Sequence, residues 1–162
     1  MLTPEQLTTL KAAILADIDS AVVAARTNGA DNELARLYNL TASPAFIVWR
    51  TSVPRNEAQG SGFDWTQIDN LTVGQARIWF DALFYGGGLN AADAGQRAGI
   101  AEAWKGTAAK VAVKAFILSV CKRAATKAEK ALATGTGKDA APAVMGWEGQ
   151  LTSDDISAAM RA

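Results

Sequence analysis

The chain has 162 residues, 49% apolar and 20% charged, with sixteen basic and sixteen acidic side chains. This is ordinary composition for one folded domain, and no apolar run reaches the roughly 18–20 residues that span a bilayer. The absence of histidine and the presence of a single cysteine exclude Ser-His-Asp and Cys-His catalysis, histidine-bearing zinc sites, thiolate cages and an intrachain disulfide. The zero net charge hides a segregation: residues 105–138 carry eight bases against Glu129 alone, residues 1–104 seven against eleven acids, and residues 139–162 one against four. A positive element on an acidic body favours association between copies or contact with a polyanion.

The first residues, Met1-Leu2-Thr3-Pro4-Glu5-Gln6, lack the basic start and apolar stretch of a signal peptide, so a cytoplasmic origin is expected. Thr3, Pro4 and Gln6 stand at N-cap, N1 and N3 of an amphipathic helix carrying Leu7, Leu10, Ile14 and Leu15 and closing near Asp17 or Ile18. Asp31 is placed as the cap of a short helix through Leu40. At Ser43-Pro44 the N-cap and N1 pattern recurs, so Phe46-Ile47-Val48-Trp49 is expected as helix in preference to strand. Pro54 and Gly60-Ser61-Gly62 make a loop. Thr72 and Gln75 form another capping box, followed by an apolar face of Val73, Ala76, Trp79, Phe80, Leu83 and Phe84 that ends at Gly86-Gly87-Gly88. Asn90 is expected to start the next helix.

The longest predicted helix runs from about Thr107 to Ala133, rich in Ala, Lys and Glu. Gly135-Thr136-Gly137-Lys138-Asp139-Ala140-Ala141-Pro142 then predicts an extended linker, and a final capping box, Thr152-Ser153-Asp154-Asp155, precedes Ile156, Ala159 and Met160. The fold expected from these signals is all-α, a helical bundle with a long central helix and an extended C-terminal arm. The expected division is a bundle domain over residues 1–134 and a linker with a docking arm over 135–162.

Candidate chemistry is sparse. Asp64 with Asp69, and Asp154 with Asp155, have no spacing that names a metal or an acid/base couple, and acids at helix starts complement the dipole. Gly135-Thr136-Gly137-Lys138 fails as a phosphate loop because a helix precedes it, Leu132 holds the first glycine position and Asp139 follows the lysine. Cys121, after Ile117-Leu118-Ser119-Val120, reads as a buried small hydrophobe. No catalytic, cofactor-binding or metal-binding residue is assigned.

Binding residues are the alternative. Arg123, Lys127 and Lys130, at i, i+4 and i+7, would form one basic stripe on the long helix, which is either a solvated face or, with Lys122 and Lys138, the expected contact to DNA or to an acidic neighbour. Lys110 and Lys114 form a second short stripe. Trp79 and Trp104 read as core, and Trp49 and Trp65 as anchors of the loop between them. Trp147, outside any helix, is either a plug on the domain or an anchor into another molecule; with Met145, Ile156 and Met160 it makes the arm's expected docking set.

The run Phe63 to Phe84 (FDWTQIDNLTVGQARIWFDALF), with Lys122-Arg123-Ala124-Ala125-Thr126-Lys127-Ala128-Glu129-Lys130 and Ala133-Thr134-Gly135-Thr136-Gly137, resembles a family of small virion structural proteins of tailed bacteriophages and prophages. The resemblance extends from Leu2-Thr3-Pro4-Glu5 to Leu151-Thr152-Ser153-Asp154-Asp155-Ile156. It implies a head–tail connector of adaptor or head-completion type, assembled in the host cytoplasm into the virion. It further implies a homo-oligomeric ring that binds the portal protein and a downstream stopper or tail protein, with non-specific contact to packaged DNA and no membrane or catalytic role. Capsid decoration, tail completion or a nucleic-acid-binding packaging accessory role are the alternatives.

Overall fold

The computed structural model describes residues 2–162. About 54% of the chain is helical and two small two-stranded sheets are present, so the fold is mostly helical without being purely so. No helix among the described residues is long and apolar enough to cross a membrane. The chain divides into two compact units. Unit 1 runs from the start of the chain to Val48 and resumes over Ala124–Ala162, and unit 2 is Trp49–Arg123. The expected division at residue 134 does not coincide with either boundary.

Unit 1 is built on α1 (Pro4–Ala16), α2 (Ser20–Thr27) and α3 (Asp31–Tyr38). The Thr3–Gln6 capping box is made in full, which satisfies two of the otherwise orphaned N–H groups at the helix start. At the other end, Arg26 Nη1 donates to the carbonyls of Ile14 and Leu15, each at 2.8 Å, placing a cation where the helix dipole is negative. Sequence reasoning passes over α2, whose cap is Asp19 accepting from the Ala21 N–H at 3.0 Å. Asp31 is not the expected cap of α3: Ala30 holds that position without a side-chain bond, and Asp31 is the first helical residue.

Residues 43–49 are not helical; β1 (Ile47–Trp49) replaces the expected helix. The reason is long-range pairing: the Ile47 N–H donates to the Gly137 carbonyl at 2.7 Å, and the Ala143 N–H donates back to Ile47 at 2.9 Å. A helix could not offer those groups sideways.

Unit 2 contains α4 (Arg55–Ala58), a 3-10 turn over Trp65–Asn70, α5 (Val73–Arg77) continued as a π turn over Ile78–Ala82, α6 (Ala94–Ala103) and α7 (Ala108–Val120). The Thr72–Gln75 box caps α5 as expected. Asn90 does not start α6. It accepts from the Ala92 N–H in a local turn, while Asp93 is the cap and accepts from Gln96. The core gathers Val53, Phe63, Trp79, Phe84, Leu89, Ile100, Trp104 and Ile117. Within it Trp79 meets Trp104 edge-on at 5.4 Å and stacks with Phe63 at 6.0 Å, arrangements suited to the ring quadrupoles. Trp79 and Trp104 are fully buried, as their helical spacing predicts.

The long central helix does not exist. α7 stops at Cys121, β2 (Lys122–Ala124) follows, and α8 (Lys127–Leu132) is a separate helix. Two causes act together. Thr126 and Glu129 form a complete capping box, a start signal inside the supposed helix. The backbone before it is also engaged elsewhere: Ala125 donates to the Phe46 carbonyl at 2.8 Å and accepts from Ala42 at 2.9 Å, and Lys127 donates to Leu40 at 2.9 Å.

The expected linker is likewise folded. β3 (Ala133–Thr134) pairs antiparallel with β4 (Val144–Met145), Ala133 opposite Met145. The reversal between them needs Gly137, whose φ is +64° and whose α-carbon lies so close to the Phe46 ring that a β-carbon has no room. After β4, α9 (Ser153–Arg161) carries the expected Thr152–Asp155 box and packs on α1 and α3. Its Ile156 and Ala159 join Leu10, Ile14, Leu34 and Leu37 in the unit 1 core.

Candidate functional site

The expected basic stripe is dispersed by the break after Val120. Lys122 and Arg123 belong to β2, and only Lys127 and Lys130 share a helix, α8. The Lys122 ammonium lies 5.9 Å from the centre of the Trp49 ring, which also carries the Arg97 guanidinium at 5.1 Å. Lys138 is exposed in the β3–β4 reversal. Lys110, of the second stripe, is buried and donates to Gln75 Oε1 at 3.1 Å; this is an internal hydrogen bond and not a surface charge.

The four apolar docking residues also have internal places. Ile156 is fully buried in the unit 1 core, and Met145 packs with Val48, Ala125 and Ala143. Trp147 and Met160 are half-buried against the unit 1 core. The segment carrying them is pinned: Asn39 Nδ2 donates to the Leu151 carbonyl at 2.9 Å, the Leu151 N–H returns to Asn39 Oδ1 at 2.8 Å, and Gln6 Nε2 donates to Gly146 at 2.8 Å. Of the two readings open for Trp147, packing on its own domain is the one the geometry favours.

What the fold does assemble is a cleft of about 680 Å³ in unit 1, within the roughly 300–1,000 Å³ of ligand-sized pockets. The end of α1 supplies Ala13 and Ala16, the turn after it Asp17, Ile18 and Asp19, α3 supplies Tyr38, the segment before β1 supplies Ala42 and Ser43, and α8 supplies Lys127, Lys130 and Ala131. Lys127 Nζ reaches Asp19 Oδ2 at 2.8 Å and Asp17 Oδ2 at 3.8 Å, and the Tyr38 hydroxyl donates to Asp17 Oδ2 at 3.3 Å. The Lys127 hydrogen bond holds the Asp19 carboxyl below the usual carboxylate range, helped by the Ala21 N–H. Burial, followed by the Asp17 charge, pushes the Tyr38 phenol well above its ordinary value and keeps its proton in place. Lys130 is exposed at the cleft and lies 5.9 Å from the Phe46 ring centre.

Four alanines line the cleft, its two carboxylates and Lys127 are mutually engaged, and Lys130 presents a cation. Two titratable groups elsewhere are held in structure. Burial pushes the Cys121 thiol up to about 11, and Asp64 caps the 3-10 turn through Thr66. No cluster of three or more His, Cys, Asp or Glu residues that could hold a metal occurs among the described residues.

Sequence reasoning finds Lys127 and Lys130 but misses Asp17, Asp19, Tyr38 and Ser43. The only local signal was the helix stop at Asp17-Ile18-Asp19, an isoleucine between two acids where a polar turn is usual. Protein-family models, curated proteins and solved structures were each compared with the chain, and none matches.

Proposed function

We propose that this chain is a structural protein of a phage virion at the head–tail junction, forming a ring of copies that binds the portal protein, meets a downstream stopper or tail protein and continues the DNA channel. The observation that carries the reading is the resemblance of residues 63–84, 122–130 and 133–137 to the phage virion proteins. Those residues supply Phe63, Trp79 and Phe84 to the unit 2 core and most of α8 to unit 1. The use of titratable groups adds support. Lys127, Asp17, Asp19 and Tyr38 hold a turn in shape, Asp64 and Asp93 cap helices, the Asp155 carboxylate accepts from the Thr152 N–H in the α9 capping box, and Cys121 is buried. Groups of this kind serve the fold, which suits an assembly role. Exposed Lys130 and Lys138 are available to a polyanion or an acidic neighbour.

The test is to purify particles, determine the copy number of the chain and locate it by electron microscopy. A ring beneath the portal, together with DNA-filled heads lacking tails when the chain is withheld, is expected. Absence of the chain from purified particles overturns the reading. Strong, steeply salt-dependent binding of the isolated chain to duplex DNA supports a packaging accessory in its place.

A further inference from the structure

Among the described residues, the two most exposed large apolar side chains are Tyr85, at 94%, and Ile18, at 93%. They occur in complementary settings. Ile18 lies at the edge of the unit 1 cleft, on a turn fixed by Lys127, Asp17 and Asp19, so the edge is rigid before anything binds. Tyr85 is exposed in the turn that follows the π turn, three residues past its end, and shares one surface hollow with Arg77, Ile78, Asp81 and Ala82. A π turn within an α-helix is a rare feature found often at functional positions.

We infer that Tyr85 of one copy seats in the unit 1 cleft of the next copy, covering Ile18 and bringing Asp81 to Lys130. Three observations fit one occupant. The cleft has four alanines among charged and polar lining residues and is large enough for an aromatic ring. Tyrosine is among the residues that dominate association energetics, with a flat apolar body and a polar tip. Both patches carry both signs, exposed Arg77 with Asp81 beside Tyr85 and exposed Asp19 with Lys130 at the cleft, and the pairing drawn here sets Asp81 on Lys130. The contact joins two different patches, so it is heterologous and either closes into a ring or propagates. This inference rests on the homo-oligomeric part of the function proposed above and gives that part its residues.

The test uses the full-length chain and sedimentation over a range of concentrations, with circular dichroism as the check on folding. Self-association of the wild type is expected, and Tyr85→Ala weakens it at least about tenfold. Ala16→Trp, at an exposed cleft position, fills the cleft and has the same effect. An equimolar mixture of these two variants forms a dimer and nothing larger, because only one knob and one cleft remain between them. Asp81→Lys and Lys130→Glu each weaken association, and the double exchange restores it.

A wild type that stays monomeric at all concentrations overturns the inference while leaving a particle role open. Association unaffected by Tyr85→Ala or by Ala16→Trp overturns it as well. Tyr85-dependent association of a chain that is absent from particles upholds the contact and removes the virion reading, so the two failures are separate.

Discussion

The Asp17-Ile18-Asp19 turn is closed by one cation. Lys127 reaches both carboxylates, and the Asp19 N–H donates back to Asp17 Oδ1 at 2.9 Å. The Asp19 carboxyl is depressed by the Lys127 hydrogen bond, so the stability it contributes is complete above its unfolded value of about 3.9 and is lost as pH falls through the lower folded value. Lys127→Met is therefore expected to lower the melting temperature near neutral pH, and the gap from wild type should close as pH falls below the ordinary carboxylate range. A gap unchanged in acid would assign the effect to packing of the lysine stem. Cys121 gives a second prediction at this scale. With its thiol pushed up to about 11 by burial, the thiolate is a ~0.1% species at about pH 8. Alkylation by iodoacetamide should proceed only at the rate of unfolding, measured by mass spectrometry with and without denaturant.

At the scale of elements, capping boxes are the most dependable local signals in this chain. Thr3–Gln6, Thr72–Gln75, Thr126–Glu129 and Thr152–Asp155 each form both reciprocal bonds. Over residues 107–133 the Ala, Lys and Glu composition favours one helix, and the Thr126–Glu129 box inside that stretch overrides the preference. Propensity spreads a few tenths of a kcal/mol per residue, whereas a cap concentrates about 1 kcal/mol at one position. The attachment of α9 gives a prediction of the same kind. Asn39 closes a reciprocal pair with the Leu151 backbone, and Asn39→Ala leaves both partly buried backbone groups unmatched. A loss of about 1–3 kcal/mol in urea unfolding is expected. If the loss is below a few tenths, water replaces the pair and α9 is held by its apolar face alone.

For the whole molecule, the decisive feature is that unit 1 is assembled from both ends of the sequence. Removal of everything after Thr134 takes Met145, Leu151, Ile156 and Ala159 out of its cores, and a single buried large-to-small change already costs about 2–5 kcal/mol. Such a truncated chain should lose the cooperative unfolding of unit 1, seen as a missing calorimetric transition; a sharp transition at the wild-type temperature would show that residues 135–162 are dispensable to the fold. The sequence alone determined the helical character, the caps, the burial of Trp79, Trp104 and Cys121, and the narrow choice of chemistry left by a chain without histidine, because these depend on residue type and short-range spacing. Tertiary structure decided where the long helix breaks, that residues 135–145 form a hairpin, that Ile156 is core and that Lys127 meets Asp17 and Asp19. Each of those outcomes draws on partners roughly eighty or more residues apart in sequence, joined at the helix break by the local Thr126–Glu129 box and in the hairpin by the near β3–β4 pair, and a local pattern carries no record of which distant backbone or carboxylate will compete for a residue.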